Sequence, residues 1–139
     1  MDKGTPGKPL SLKDFRGKKV LLAFYPLDFS PTCSGEISCF REDFSEFQGT
    51  DTVILGVSVD SAWTHQAFAK QQQIEFPLLA DFHPKGAVAA QFGLYEADKG
   101  ITARATVIID REGKVAFIQN HGLGTARDNK VILAELAKI

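Results

Sequence analysis

The chain has 139 residues and a formal net charge of −1 with both signs interspersed, so it offers no basic footprint for nucleic acid or an anionic membrane. One domain over 1–139 can bury roughly two-thirds of its unfolded surface without a disulfide framework. No apolar run approaches a membrane span and Met1-Asp2-Lys3-Gly4 has no secretory pattern, which points to a cytoplasmic protein with two redox-active or inert cysteines.

Eleven Phe against one Trp and two Tyr predict a Phe-rich core. Residues 4–9 are turn-like, and 10–15 lead into the Arg16-Gly17-Lys18 turn. The apolar run over 20–25 reads as a buried strand. A helix over 31–48 follows, with Cys33, Ile37, Phe40, Phe44 and Phe47 recurring on one face. The β-branched run 52–59 predicts a second central strand, after which Asp60 or Ser61 caps a helix through about residue 73. Pro77-Leu78-Leu79-Ala80 predicts a short strand, followed by a helix over 84–92. Residues 105–110 and 114–120 form a hairpin across Arg111-Glu112-Gly113, and 126–139 close the chain as an amphipathic helix. This order predicts an α/β fold with a mixed sheet and helices on both faces.

The chemistry-bearing stretch is Phe24-Tyr25-Pro26-Leu27-Asp28-Phe29-Ser30-Pro31-Thr32-Cys33. It runs from a strand into a turn that delivers Cys33 to the first turn of a helix, where unpaired N–H groups and the helix dipole favour thiolate. Ser30 carries a hydroxyl that can donate and accept, and the Pro26 ring can shield a thiolate from water. The loop contains no Lys or Arg, so a cation must come from elsewhere. Arg104 stands just ahead of the apolar run 105–109, where a charge is costly unless paired, so it is expected to face a cleft. Glu36, one helical turn after Cys33, can accept from Arg104, although a carboxylate in a first turn is also ordinary dipole chemistry. His65, His83 and His121 stand far apart without metal-ligand spacing and read as surface or loop residues; no metal or cofactor is expected. Asp60, Asp81 and Asp110 suit local hydrogen bonding at strand ends, and Trp63 suits packing or a rim.

Pro26, Ser30 and Cys33 fit the spacing Pro-x-x-x-Thr/Ser-x-x-Cys, and the chain resembles the peroxiredoxins through it. Arg104-Ala105-Thr106-Val107 is similar to the family's Arg-x-Thr/Ser-hydrophobic strand, whose arginine contacts the peroxidatic cysteine. Leu12 to Lys18, Phe76 to Asp81 and Ile109 to Val115 also match, and Cys33-Ser34-Gly35-Glu36-Ile37 is closest to the alkyl hydroperoxide reductase E-type and bacterioferritin-comigratory (Q-type) branches. The resemblance implies a thioredoxin fold and a thiol peroxidase in which Cys33 cycles from thiolate to sulfenate. It implies catalytic roles for Cys33, Ser30, Arg104, Pro26 and Glu36, a hydroperoxide substrate, and thioredoxin, glutaredoxin or a low-molecular-weight thiol as reductant. It further implies a monomer or homodimer, the dimer formed near the Cys33 loop.

The chain departs from the family pattern twice. It starts after the family's Ala-Pro-Asp-Phe-like motif, so a shortened N-terminus lacking one or two edge strands is expected. Cys39 follows Cys33 by six residues, whereas Q-type members often carry a resolving cysteine at an offset of five. Six residues on a regular helix span roughly 9 Å and about 120° of rotation, whereas a disulfide needs Cα atoms within about 7 Å. Cys39 can therefore resolve only if the helix unwinds; otherwise an external thiol completes a one-Cys cycle. A thioredoxin-like disulfide oxidoreductase normally uses Cys-x-x-Cys, and residue 36 is Glu. A third reading is a non-catalytic thioredoxin-fold binding module, or a peroxidase inactivated by N-terminal shortening.

Overall fold

The computed structural model describes residues 9–123 and 127–139. Its strands are β1 (Lys19–Phe24), β2 (Thr52–Ser58), β3 (Leu78–Ala80), β4 (Tyr95–Glu96), β5 (Ile101–Thr102), β6 (Arg104–Ile109) and β7 (Val115–Gly122). Its α-helices are α1 (Pro31–Glu42), α2 (Phe44–Gly49), α3 (Ala62–Gln72), α4 (Ala87–Gln91) and α5 (Asn129–Ala137), and a single 3-10 turn covers Leu12–Phe15.

The continuous apolar runs become the middle of a five-stranded sheet ordered β3-β2-β1-β6-β7. β1 lies parallel to β2, with Val20 opposite Val53, and antiparallel to β6, with Leu22 opposite Val107. Every residue of these three strands is buried, which is why their sequences run apolar rather than alternating. One face of the sheet packs Leu21, Ala23, Tyr25, Ile54 and Ile108 against Cys33, Ile37, Phe40 and Phe47 of α1 and α2, Phe68 of α3, and Ile132 and Leu136 of α5. The other packs Leu22, Phe24, Leu55, Val57 and Val107 against Phe15, Ala89 and Leu94. Lys19 is buried at the start of β1, and its ammonium donates to the Leu136 carbonyl at 2.8 Å, where the end of α5 leaves acceptors unpaired.

Several boundaries differ from the sequence expectation. The helix expected over 31–48 breaks at Asp43, whose φ −92°, ψ 8° lies outside the helical basin and whose carboxylate accepts from Asn129 Nδ2 at 2.9 Å. The break lets Phe47 turn into the core beside Phe40, their rings 5.6 Å apart. Helix α4 begins at Ala87 rather than 84, its first turn capped from outside by Asp81, which accepts from the Val88 and Ala89 amides at 3.0 and 2.9 Å. Strand β6 includes Arg104, opposite Gly122 of β7. The β4–β5 ladder was not anticipated, since two residues per strand leave no periodicity to read. The last helix starts at Asn129 with Asp128 as its cap, so Arg127 lies ahead of it. Of the expected turn over 4–9, residues 4–8 lie outside the described residues.

Candidate active site

Strand β1 ends by extending its pairing one residue, the Tyr25 amide donating to Val57 O at 3.0 Å, and the chain then turns through buried Pro26 into α1. Ser30 is the extended residue before the helix and Pro31 its first residue, where a missing N–H costs nothing. The Ser30 hydroxyl makes no cap; it donates to Leu27 O at 3.2 Å. Cys33 is therefore third in the helix, among the amides with no intrahelical acceptor, and it is buried.

A buried cysteine is ordinarily an inert apolar side chain. What distinguishes Cys33 is Arg104, itself 2% exposed, whose Nη2 donates to Cys33 Sγ at 3.3 Å and to Leu123 O at 3.2 Å. Arg104 Nη1 donates to Glu36 Oε1, and its Nε has no partner among the described residues. Burial opposes the Arg104 charge, but Glu36 and Cys33 outweigh it and hold the guanidinium pKa above its ordinary value. Glu36 is thus a buried carboxylate in a salt bridge, not an exposed first-turn acid.

Sequence reasoning missed Arg127. Its backbone amide and Nε both donate to Glu36 Oε2, at 2.7 and 3.0 Å, while Nη1 reaches Ala105 O at 2.6 Å and Nη2 reaches Phe24 O at 2.5 Å. Its guanidinium also lies over the Phe40 ring, 5.6 Å from the centroid. Glu36 therefore stands between two buried arginines. No spacing rule ties residue 127 to 36; the only signal was an arginine just before an aspartate that can cap a helix.

Also missed was a polar cluster beneath the loop. Tyr25 Oη donates to Asp28 Oδ1 at 2.6 Å, and His65 Nδ1 lies 2.7 Å from Asp28 Oδ2 while its Nε2 donates to Leu79 O at 3.0 Å. His65 is buried, which corrects the surface reading: its ring ties α3 and β3 to the loop that precedes Cys33. Burial and then the Asp28 carboxylate push the Tyr25 phenol well above its usual pKa, so it stays a donor. Asp28, Asp60 and His65 bring ligand atoms within 4.8 Å of one another, but these same atoms hydrogen-bond within the cluster, Asp60 accepting from the Asp28 amide at 2.8 Å. Cys39 lies exposed on α1, which is unbroken between the two cysteines.

The AhpC/TSA family profile matches residues 2–118. This chain belongs to that family. Alkyl hydroperoxide reductase E of Mycobacterium tuberculosis is 37% identical over 131 residues, which cover 94% of this chain and 86% of the relative. The chloroplastic 2-Cys peroxiredoxin BAS1 of Hordeum vulgare is 38% identical over 129 residues, covering 86% of this chain and 60% of the relative. Among solved structures, Enterococcus faecalis AhpC superposes with a TM-score of 0.87 at 30% identity, covering 93% of this chain and 78% of that one. The fold is thus the thioredoxin fold of the AhpC peroxiredoxins, as the resemblance implied.

Proposed function

We infer that this protein is a thiol-dependent peroxidase of the peroxiredoxin type, reducing hydrogen peroxide and organic hydroperoxides with Cys33, and that residues 1–139 form one such domain. The observation that carries the assignment of roles is the buried guanidinium of Arg104 at 3.3 Å from the buried Cys33 sulfur. A cation there, with the positive end of α1, favours the anion that attacks. The Cys33 thiolate attacks one peroxide oxygen, an S–O bond forms and the O–O bond breaks. Cys33 keeps the attacked oxygen as a sulfenic acid, and the departing oxygen takes a proton to become water or an alcohol. Arg104 holds the leaving oxygen, its Nε, without a partner among the described residues, supplying a further donor. Ser30 turns its hydroxyl from Leu27 O to the peroxide, and Pro26 keeps water from the sulfur. Glu36 orients Arg104 and does not touch substrate.

Because Cys33 is buried, a small oxidant or a local movement of the first turn of α1 is needed for access. A groove of about 790 Å³ lined by Leu22, Leu55 and Phe92 lies on the opposite face of the sheet and plays no part in this step. An external thiol (thioredoxin, glutaredoxin or a low-molecular-weight thiol) then condenses with the sulfenate to a mixed disulfide and water, and a second thiol releases Cys33. This one-Cys cycle is favoured over resolution by Cys39, which shares an unbroken helix with Cys33. Two free cysteines suit a reducing, cytoplasmic setting.

Support for a homodimer over a monomer comes from exposed Leu27, Phe29, Trp63 and Phe82, on three segments that the Asp28–His65–Leu79 bonds join. A homodimer through this edge covers them. Activity is tested by following peroxide consumption with an added thiol in wild type and Cys33→Ser, and by trapping the sulfenate on Cys33 for mass analysis. Consumption that persists in Cys33→Ser, or an oxidised Cys39 beside a reduced Cys33, overturns the assignment.

A further inference from the structure

A half-buried histidine adjoins the arginine pair and has no part in the chemistry above. The β6–β7 ladder is irregular at its site end: Arg104 opposes Gly122 and Ala105 opposes Asn120, which leaves His121 as the extra residue of a bulge. Its Nε2 lies 3.1 Å from Thr106 Oγ1, and that oxygen also accepts from Arg127 Nη1 at 3.4 Å. Thr106 is fully buried, so its hydroxyl hydrogen needs an acceptor, and the one in reach among the described residues is His121 Nε2. A guanidinium can only donate, which fixes the direction of the rest. The hydroxyl donates to a neutral imidazole, Arg127 donates to the hydroxyl oxygen and to Glu36, and Glu36 accepts from Arg104, which donates to Cys33.

We propose that His121, in its neutral form, is a positioning residue for the peroxidase reaction, holding Arg127 and through it Glu36 and Arg104 by accepting the Thr106 hydroxyl. The proposal rests on the Cys33 reading above. Protonation of Nε2 reverses this bond, orphans the Thr106 hydrogen, and sets an imidazolium beside Arg127. Three charged groups act on the ring from the neighbouring elements: Arg127 ahead of α5, Glu36 on α1 and Arg104 on β6. Burial lowers the His121 pKa first, Arg127 lowers it further, Glu36 opposes and Arg104 adds to the lowering, so the neutral form persists at neutral pH. Acidification then weakens the reaction through the arginines.

The test measures kcat/KM for hydrogen peroxide against pH in wild type, His121→Leu, His121→Gln and Thr106→Val. His121→Leu and Thr106→Val should each lose about threefold to tenfold near neutrality, and the double variant should lose no more than either alone, as members of one relay do. His121→Gln keeps an acceptor and should restore most of the rate. Across the His121 titration the wild-type profile should fall by an additional step of about threefold to tenfold that is absent in His121→Gln, whose amide takes no proton. A wild-type rate in His121→Leu, additive losses, or a pH profile of the same shape in wild type and His121→Gln overturns the proposal. Titration of the His121 ring by NMR separates this failure from failure of the peroxidase reading. Thr106→Val should raise the His121 pKa toward its ordinary value, and an unmoved titration rejects the relay whether or not the protein turns over peroxide.

Discussion

At the scale of single residues, charge and geometry set different requirements. Arg104 spreads its donors over Cys33, Glu36 and Leu123 O at once from two nitrogens held in a rigid fork, whereas an ammonium presents its donors from one point on a flexible stem. Arg104→Lys is expected to slow the peroxide step at least about tenfold, roughly 1.4 kcal/mol of barrier. Stopped-flow oxidation of Cys33 checks this, and a wild-type rate removes the fork from the argument. Cys39 has the opposite surroundings. Partial burial and then the carboxylates of Glu42, Asp43 and Glu36 raise its pKa. In Cys33→Ser, alkylation of Cys39 should reach half its maximal rate above the ordinary thiol value of about 8.5. A midpoint below that value contradicts the electrostatic picture of α1.

At the scale of elements, Glu36 joins four of them. It sits on α1, binds Arg104 from β6 and Arg127 from the segment before α5, and Arg127 continues to the Phe24 carbonyl that ends β1. Both guanidinium groups are desolvated, so deleting the shared carboxylate strands two buried cations beside each other. Glu36→Gln should cost about 3–5 kcal/mol, the range for breaking a buried ion pair by removing one partner. Urea unfolding reads it directly. Stability within about 1 kcal/mol of wild type would mean that water enters the cluster and solvates the arginines. The break at Asp43 belongs to this scale too. A single straight helix over 31–48 satisfies the apolar stripe on paper, but the chain breaks at Asp43, whose carboxylate accepts from Asn129 at the start of α5.

At the scale of the molecule, the two faces of the sheet carry different loads. The face bearing Cys33 is covered by α1, α2, α3 and α5, whereas among the described residues the other carries the short α4, the 3-10 turn and the β4–β5 ladder. Exposed Trp63, at 72%, and Phe82, at 56%, lie on the segments around the Cys33 loop, so the proposed dimer would bury aromatic area that is otherwise costly in water. Sedimentation should find wild type as a dimer and Trp63→Arg shifted toward monomer, with the fold unchanged by circular dichroism. A monomeric wild type at tens of micromolar, roughly where a standard-sized interface should hold, rejects that interface.

Read in order, the residues determine a good deal by themselves. The apolar runs locate β1, β2 and β6, because strands buried on both faces need no alternation. The Pro26, Ser30 and Cys33 spacing places Cys33 in the first turn of α1, because a strand-to-helix turn is a local feature written in consecutive residues. Arg104 was legible for the same reason, a charge at the mouth of an apolar strand. Arg127, His65 and His121 were not. Each acquires its role from a partner far away in the chain, Glu36, Asp28 and Thr106 respectively, and composition around each is that of an ordinary helix or strand end. Hydrogen-bond satisfaction in a desolvated interior is a property of the assembled molecule, so only tertiary structure could decide which polar side chains are turned inward to provide it.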